Sequence, residues 1–147
     1  MRSTSILMSI FVLVPAMTWA APEDVPPIIA NGFSSYGGGV AGVVETWVKD
    51  GPLETNPRLC ERALRKLGSA EALFGDYQNY EFIRSREWSS FSKTVFIALR
   101  YKNGAMFARF LLYQTKYSGW IVTDLAVDND PMKIFRAKKP SAQTNDA

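Results

Sequence analysis

Helical periodicity dominates the first half of the chain. Val40, Val43, Val44, Trp47 and Val48 fall at the i, i+3, i+4, i+7 and i+8 spacing that places apolar residues on one face of a helix. The Lys-Asp-Gly-Pro sequence that follows is typical of a helix end. The pattern therefore predicts an amphipathic helix whose apolar face is directed at a core.

A second helix is predicted to begin at Pro57, with Asn56 as its N-cap. We expect Gly68 to end this helix, and a short third helix to cover residues 69–74. Residues 21–34 contain three prolines and are expected to form an extended leader.

The apolar period changes to two after Gln78, which indicates strands. Asn103 and Gly104 lie between two apolar runs and favour a two-residue hairpin turn, which would set Tyr101 opposite Met106. The order of elements predicts an α+β fold, in which N-terminal helices pack on a curved, cone-like (cystatin-like) four-stranded antiparallel meander. The predicted strands cover 78–88, 93–102, 105–116 and 119–128.

One face of the two central strands carries no charge, and we expect the helices to cover it. Its members are Val95, Ile97, Leu99, Tyr101, Met106, Ala108, Phe110 and Leu112.

The opposite face, which we call the outer face, mixes aromatic, aliphatic and charged side chains. An even-length loop is expected between the last two strands, because an odd one would turn Asp124 and Asp128 into the core. A two-residue loop sets Tyr113 opposite Asp124 and Arg109 opposite Asp128. The candidate ligand- or partner-binding residues of this face are Phe96, Arg100, Phe107, Arg109, Leu111, Tyr113, Trp120 and Asp124.

A half-apolar sheet face either lines a pocket or packs against a second molecule. In a pocket, Asp124 would act as a general base and Tyr113 as a proton donor, and Arg109 or Arg100 would hold an anionic group. In the other interpretation these residues form cross-strand pairs, each contributing about 0.2–1 kcal/mol, on a solvated or dimer-buried surface.

The composition of the chain excludes several classes of catalytic site and metal site. The chain has no histidine, which excludes Ser-His-Asp and Cys-His mechanisms and histidine metal sites, and we expect no metal and no cofactor. The single cysteine, Cys60, is expected to lie in the core. Basic and acidic residues alternate along the chain, and the net charge is only +3. Since no strongly basic segment results, no nucleic acid partner is expected. The first strand carries a cluster of Arg84, Arg86, Glu87 and Trp88. A basic strand with an aromatic residue could bind RNA, but we interpret the cluster as protection of a sheet edge.

The N-terminus has the pattern of a signal peptide over residues 1–20, with Arg2, an apolar run over 6–14 and a cleavage site after Ala20. The apolar run is shorter than the roughly 20 residues that span a bilayer, so no stable membrane insertion is expected after cleavage. The pattern predicts export to the periplasm or secretion. The polar tail over 137–147 is expected to be disordered.

Four segments resemble the nuclear transport factor two-like superfamily of cystatin-like α+β cones. They are LFGDYQNYEF (73–82), YKNGAMFARF (101–110), GWIV (119–122) and DNDPMKIF (128–135). The likeness covers residues 35–136, taken as a single cone domain. Within the superfamily, the chain resembles a group of exported bacterial proteins without an assigned activity. The resemblance implies a homodimer through the open sheet face. In enzymatic members it implies an Asp-His pair, which is impossible here, or a tyrosine with carboxylic acids, for which Tyr113 with Asp124 is the possible counterpart.

These observations favour an exported, non-catalytic module that binds a ligand or dimerises through the outer face. The expected partners are a second copy of the chain and a small apolar or anionic ligand. The alternative is a small lyase, isomerase or hydrolase that uses Asp124 and Tyr113 in a hydrophobic pocket. An enclosed cavity in which these two side chains converge would favour the enzyme.

Overall fold

The structure, a computed structural model, describes residues 25–136. Three helices precede an open antiparallel sheet whose strand order is the order of the sequence, and a fourth helix follows it. This architecture confirms the predicted fold class. The helices are α1 (Pro27–Ser34), α2 (Val40–Val48), α3 (Pro57–Phe74) and α4 (Pro131–Phe135), with a 3₁₀ turn at Ser35–Gly38. The strands are β1 (Tyr77–Ser89), β2 (Ser92–Tyr101), β3 (Gly104–Thr115) and β4 (Gly119–Asp128).

The prediction of an extended leader over 21–34 is wrong for the second half of that range, because the helix α1 covers Pro27–Ser34. Pro26 and Pro27 stand at the N-cap and the first helical position, where the missing N–H of proline leaves no hydrogen bond unmade. Ile29 and Phe33 are buried and fix the helix on the core. The predicted signal peptide over 1–20 and the tail over 137–147 lie outside the described residues.

The expected break at Gly68 is also wrong, because α3 is one helix of 18 residues. A side chain at position 68 would meet nothing within 4 Å, so the glycine lies on the open side of the helix. Buried Leu67 and Ala70 on the other side continue the packing through this point. Tertiary packing therefore outweighs the roughly 1 kcal/mol that a glycine costs in a helix. The predicted N-cap is confirmed, since Asn56 accepts a hydrogen bond from the Leu59 N–H at 3.4 Å.

The hairpin between β2 and β3 turns at Lys102 and Asn103, one residue earlier than predicted, so that Leu99 lies opposite Met106. The end of α3 explains the difference. The Asn103 N–H donates to the Phe74 carbonyl at 2.8 Å, and a Cβ on Gly104 would lie 2.3 Å from the Phe74 ring. Because the register moves by two residues, both faces keep their predicted members. All eight residues predicted for the helix-covered face are buried.

The loop between β3 and β4 has an odd length, since Thr115 pairs with Gly119. A β-bulge at Thr123 compensates for it, and the Thr123 hydroxyl donates to the Leu111 carbonyl at 3.1 Å. Asp124 therefore stays on the outer face, as predicted.

Between Gly119 and the bulge, the residues of β4 lie on the opposite sheet faces from those predicted. Val122 is buried in the core, and Trp120 packs against the core edge instead of the outer face. The predicted cross-strand pairs are wrong too, because Asp124 lies opposite Leu111 and Asp128 lies opposite Phe107.

The core lies between the helices α1–α3 and the inner sheet face. Trp47 is fully buried, meets Phe110 edge-on at a centroid distance of 4.8 Å, and donates from Nε1 to the Ile29 carbonyl. Cys60 is partly buried, packs against this core and donates from Sγ to the Leu53 carbonyl at 3.4 Å. In the span 25–136, no helix has the length and apolar character needed to cross a membrane.

Candidate functional site: an arginine-lined groove on the outer face

The outer face holds a groove of about 720 Å³, which is within the range of small-molecule sites. Its floor consists of Thr94, Phe96, Arg109, Leu111 and Asp124, and its walls include Arg84, Arg86 and Trp88 from β1 and Ile134, Phe135 and Arg136 from the C-terminal end of the described chain. We call it the arginine groove.

The helix α4 builds one wall by folding back over the sheet. Asp130 caps it by accepting a hydrogen bond from the Met132 N–H at 2.9 Å. Ile134 is buried, and the Phe135 ring lies 5.3 Å from Phe96 and 6.2 Å from Phe107. The chain itself therefore covers the part of the outer face around Phe107.

The opposite wall is formed by the two arginines of β1. A register irregularity at Ile83 shifts the pairing, so that Arg84 lies opposite Phe96 and Arg86 opposite Thr94, both on the outer face. The Arg84 guanidinium lies 4.8 Å from the centroid of Phe96 and 5.3 Å from that of Phe135. The Arg86 guanidinium lies 4.0 Å from the Trp88 ring. Aromatic faces thus hold both positive charges.

Neither of these arginines makes an ion pair with a carboxylate among residues 25–136. Arg109 differs, because its Nη2 donates to Asp124 Oδ2 at 3.1 Å. The four arginines and one aspartate that line the groove carry a net charge of +3. The arrangement is suited to an anion with an apolar body.

The predicted site residues divide into two groups. Phe96, Arg109, Leu111 and Asp124 line the groove. The other four do not. Arg100 is exposed beyond the groove, Phe107 lies beneath Phe135, Tyr113 packs against Phe91, and Trp120 lies near Lys93 at the inner face.

Tyr113 does not line the groove that contains Asp124, so the acid–base pair of the alternative interpretation is not brought together there. The Tyr113 ring packs edge-on against Phe91 at 5.5 Å, and its cross-strand neighbours are Ser92 and Ile121. The Asp124 carboxylate is engaged with Arg109. General acid–base catalysis needs groups within hydrogen-bond reach of the same reacting atoms. The two side chains instead have separate surroundings.

Asp128, predicted to pair with Arg109, has other partners. Lys66 Nζ lies 2.5 Å from Asp128 Oδ2, and Lys133 Nζ lies 3.6 Å from its Oδ1. Burial alone would raise the pKa of Asp128, but hydrogen bonds from Lys66 and the Asp130 N–H, with the charges of both lysines, lower that pKa below its ordinary value. Asp128 therefore connects α3 and the start of α4 to the end of β4.

The sequence pattern of β1 favours edge protection for Arg84, Arg86 and Trp88, whereas the structure places all three in a wall of the groove. The missing information was the irregularity at Ile83, which directs the two arginines to the outer face, and the return of α4 over the sheet. The Asp-Pro pair at Asp130 and Pro131, a helix-start signal, is the sequence feature that would have indicated α4.

Comparisons with known proteins add no assignment to this site. No protein-family model, no curated protein and no solved structure matches the chain. The superfamily resemblance therefore stays a prediction. Within residues 25–136, no group of three or more Cys, Asp or Glu side chains is arranged to hold a metal ion.

Proposed function

We propose that the protein is an exported, non-catalytic binding module whose arginine groove takes a small organic anion. The observation that carries the proposal is the pair Arg84 and Arg86, which lie over aromatic rings beside the apolar side chains of Phe96 and Leu111 and have no carboxylate partner among the described residues. Such guanidinium groups bind carboxylate, phosphate or sulfate groups with two parallel hydrogen bonds. Export rests on the signal-peptide pattern of residues 1–20.

The charge of the groove favours a small anion over a second copy of the chain. In a two-fold symmetric dimer the same patch lies on both sides of the interface, so a groove with a net charge of +3 would face an identical groove. Like charges brought together in an interface oppose association. The homodimer that the sequence predicts through the open sheet face stays a prediction, and the net positive charge of the groove argues against that arrangement.

The enzyme alternative receives no support from the geometry. A lyase, isomerase or hydrolase of the expected kind needs Tyr113 to donate a proton beside Asp124. Their separate surroundings, Phe91 for Tyr113 and Arg109 for Asp124, leave the binding module as the better account.

Fluorescence titration with anilinonaphthalene sulfonate, an aromatic anion, tests the proposal. We expect saturable binding to the wild-type protein and at least about tenfold weaker binding to Leu111→Glu, which places a carboxylate on the groove floor. Gln114→Glu on the same strand is the matched control, because position 114 is exposed outside the groove. Absence of saturable binding, or equal affinities for all three proteins, would contradict the proposal.

A further inference from the structure

We propose that the ligand of the arginine groove is an elongated amphiphile that binds across the strands, with one oxyanion group at β1 and an apolar body over β2 and β3. The inference rests on the proposed function and adds the class and orientation of the ligand. It follows from how the strand register distributes charge over the groove.

Two rows of cross-strand neighbours form the floor. One row runs from Arg84 through Phe96 to Arg109, and the other contains Arg86, Thr94, Leu111 and Asp124. With strands about 4.8 Å apart, a row from β1 to β4 is about 14 Å long. Each row starts with an unneutralised arginine at β1.

The β1 end is suited to an oxyanion. Arg84 and Arg86 are two residues apart on the same strand, and their guanidinium carbons lie 4.8 Å and 4.0 Å from the centres of the Phe96 and Trp88 rings. Neither guanidinium group pairs with a carboxylate within residues 25–136, so their N–H groups are free to donate to an oxyanion. Two such groups side by side hold a carboxylate or a phosphate in a fixed place.

The middle of the groove is apolar. Phe96 is buried at its floor beside Leu111, and Phe135 forms the wall above it. The row between Arg86 and Asp124 contains only Thr94 and Leu111, neither of which is charged, and the Thr94 hydroxyl accepts a hydrogen bond from Trp88 Nε1 at 2.8 Å. An alkyl or aryl body fits this section, because burying it removes apolar surface from water.

The β4 end is electrically balanced and carries an accessible carboxylate. Arg109 is already paired with Asp124, whose side chain is 41% exposed. A second anionic group on the ligand would meet this carboxylate and be repelled. The geometry therefore selects a ligand with one anionic end.

Isothermal titration calorimetry of the purified protein with decanoate, decanedioate and decanol tests this assignment. We expect decanoate to bind best, decanedioate to bind more weakly because its second carboxylate meets Asp124, and decanol to bind weakly because it lacks the anion. Decyl phosphate, compared with decanoate, distinguishes a phosphate headgroup from a carboxylate. Tighter binding of either supports the oxyanion site and identifies its preferred headgroup.

Matched variants locate the two ends. Arg84→Gln and Arg86→Gln should each weaken decanoate binding about tenfold or more, as expected for loss of a charge-assisted hydrogen bond. Arg84→Lys keeps the charge but loses the planar fork, and should fall between Arg84→Gln and the wild type. Arg58→Gln, an exposed position on α3, removes the same charge far from the groove and should leave the affinity unchanged. Thermal melting confirms that each variant is folded.

Asp124→Asn provides the sharpest readout. It removes the repulsion and frees Arg109, so the preference for decanoate over decanedioate should disappear or reverse. The orientation is overturned if decanoate binding is lost in Leu111→Glu but unchanged in both Arg→Gln variants, or if Asp124→Asn leaves the preference as it is. Those results would leave the groove as a binding site. Failure of every probe to bind the wild type would instead contradict the proposed function itself.

Discussion

At the scale of single residues, the buried Asp128 carboxylate and its two partly exposed lysine partners are the clearest electrostatic contribution to stability. Because the pKa of Asp128 in the folded protein lies below its ordinary value of 3.8, its charged form stabilises the fold. This contribution is present in full above the ordinary value and is lost as the pH falls through the lowered pKa.

Asp128→Asn should therefore lower the free energy of unfolding at pH 7 by about 1.5–3 kcal/mol, the range for hydrogen bonds to charged groups. The difference from the wild type should shrink as the pH falls below 3.8, where the wild-type carboxyl also becomes protonated. Urea unfolding at several pH values measures this difference in the free energy of unfolding. Asp50→Asn, an exposed control, should have little effect. A deficit of Asp128→Asn that stays constant down to the lowest pH would contradict the assignment.

A cluster of tyrosines fixes the 3₁₀ turn after α1 to the sheet. The Tyr36 and Tyr101 hydroxyls are 2.8 Å apart, and the Tyr36 ring stacks on Tyr77 at 3.9 Å. Burial and the hydrogen bond with Tyr101 raise the pKa of Tyr36 far above its ordinary value. The cluster therefore stays uncharged at physiological pH.

Tyr36→Phe should destabilise the protein by about 1–3 kcal/mol, since it leaves the buried Tyr101 hydroxyl without its partner. Tyr117→Phe removes the same group from a side chain that is 97% exposed and should change the unfolding free energy by less than about 0.5 kcal/mol. Equal stabilities of the two variants would show that the buried hydrogen bond contributes nothing measurable.

At the scale of elements, periodicity in the sequence was sufficient to predict the strands and the apolar faces, and insufficient where tertiary contacts decide. The turn of the β2–β3 hairpin is set by Phe74 of α3, which a local Asn-Gly pattern cannot report. The faces that the β4 residues occupy depend on the bulge at Thr123, which compensates for the odd number of residues in the preceding loop. The groove depends on a similar irregularity at Ile83 and on α4, so its walls were the least predictable part.

Alanine substitutions at two glycines that lie in or against α3 should change the stability of the protein in opposite directions. Gly68→Ala should stabilise the protein by about 1 kcal/mol, because the new methyl group meets no atom and alanine favours the helix. Gly104→Ala should destabilise it, because the methyl group would collide with the Phe74 ring at 2.3 Å. Denaturant midpoints measure both, and a destabilising Gly68→Ala would mean that α3 is interrupted after all.

At the scale of the whole molecule, the helices α1–α3 cover one sheet face and leave much of the other uncovered. The inner face is filled by the core, and α4 covers the outer face around Phe96 and Phe107. The uncovered part of the outer face includes the arginine groove, where the exposed Arg84 and Arg86 lie over aromatic rings. Exposed arginines without an ion pair contribute little to folding, and this supports the proposal that the groove binds an anion.

The most direct test of that assignment is a heteronuclear NMR titration of the protein with decanoate. The account predicts saturable shifts in backbone amides of the groove, above all those of Arg86, Thr94 and Leu111, with the inner-face amides of Val95 and Leu112 much less affected. Saturable shifts confined to another surface, or no shifts at all, would contradict it.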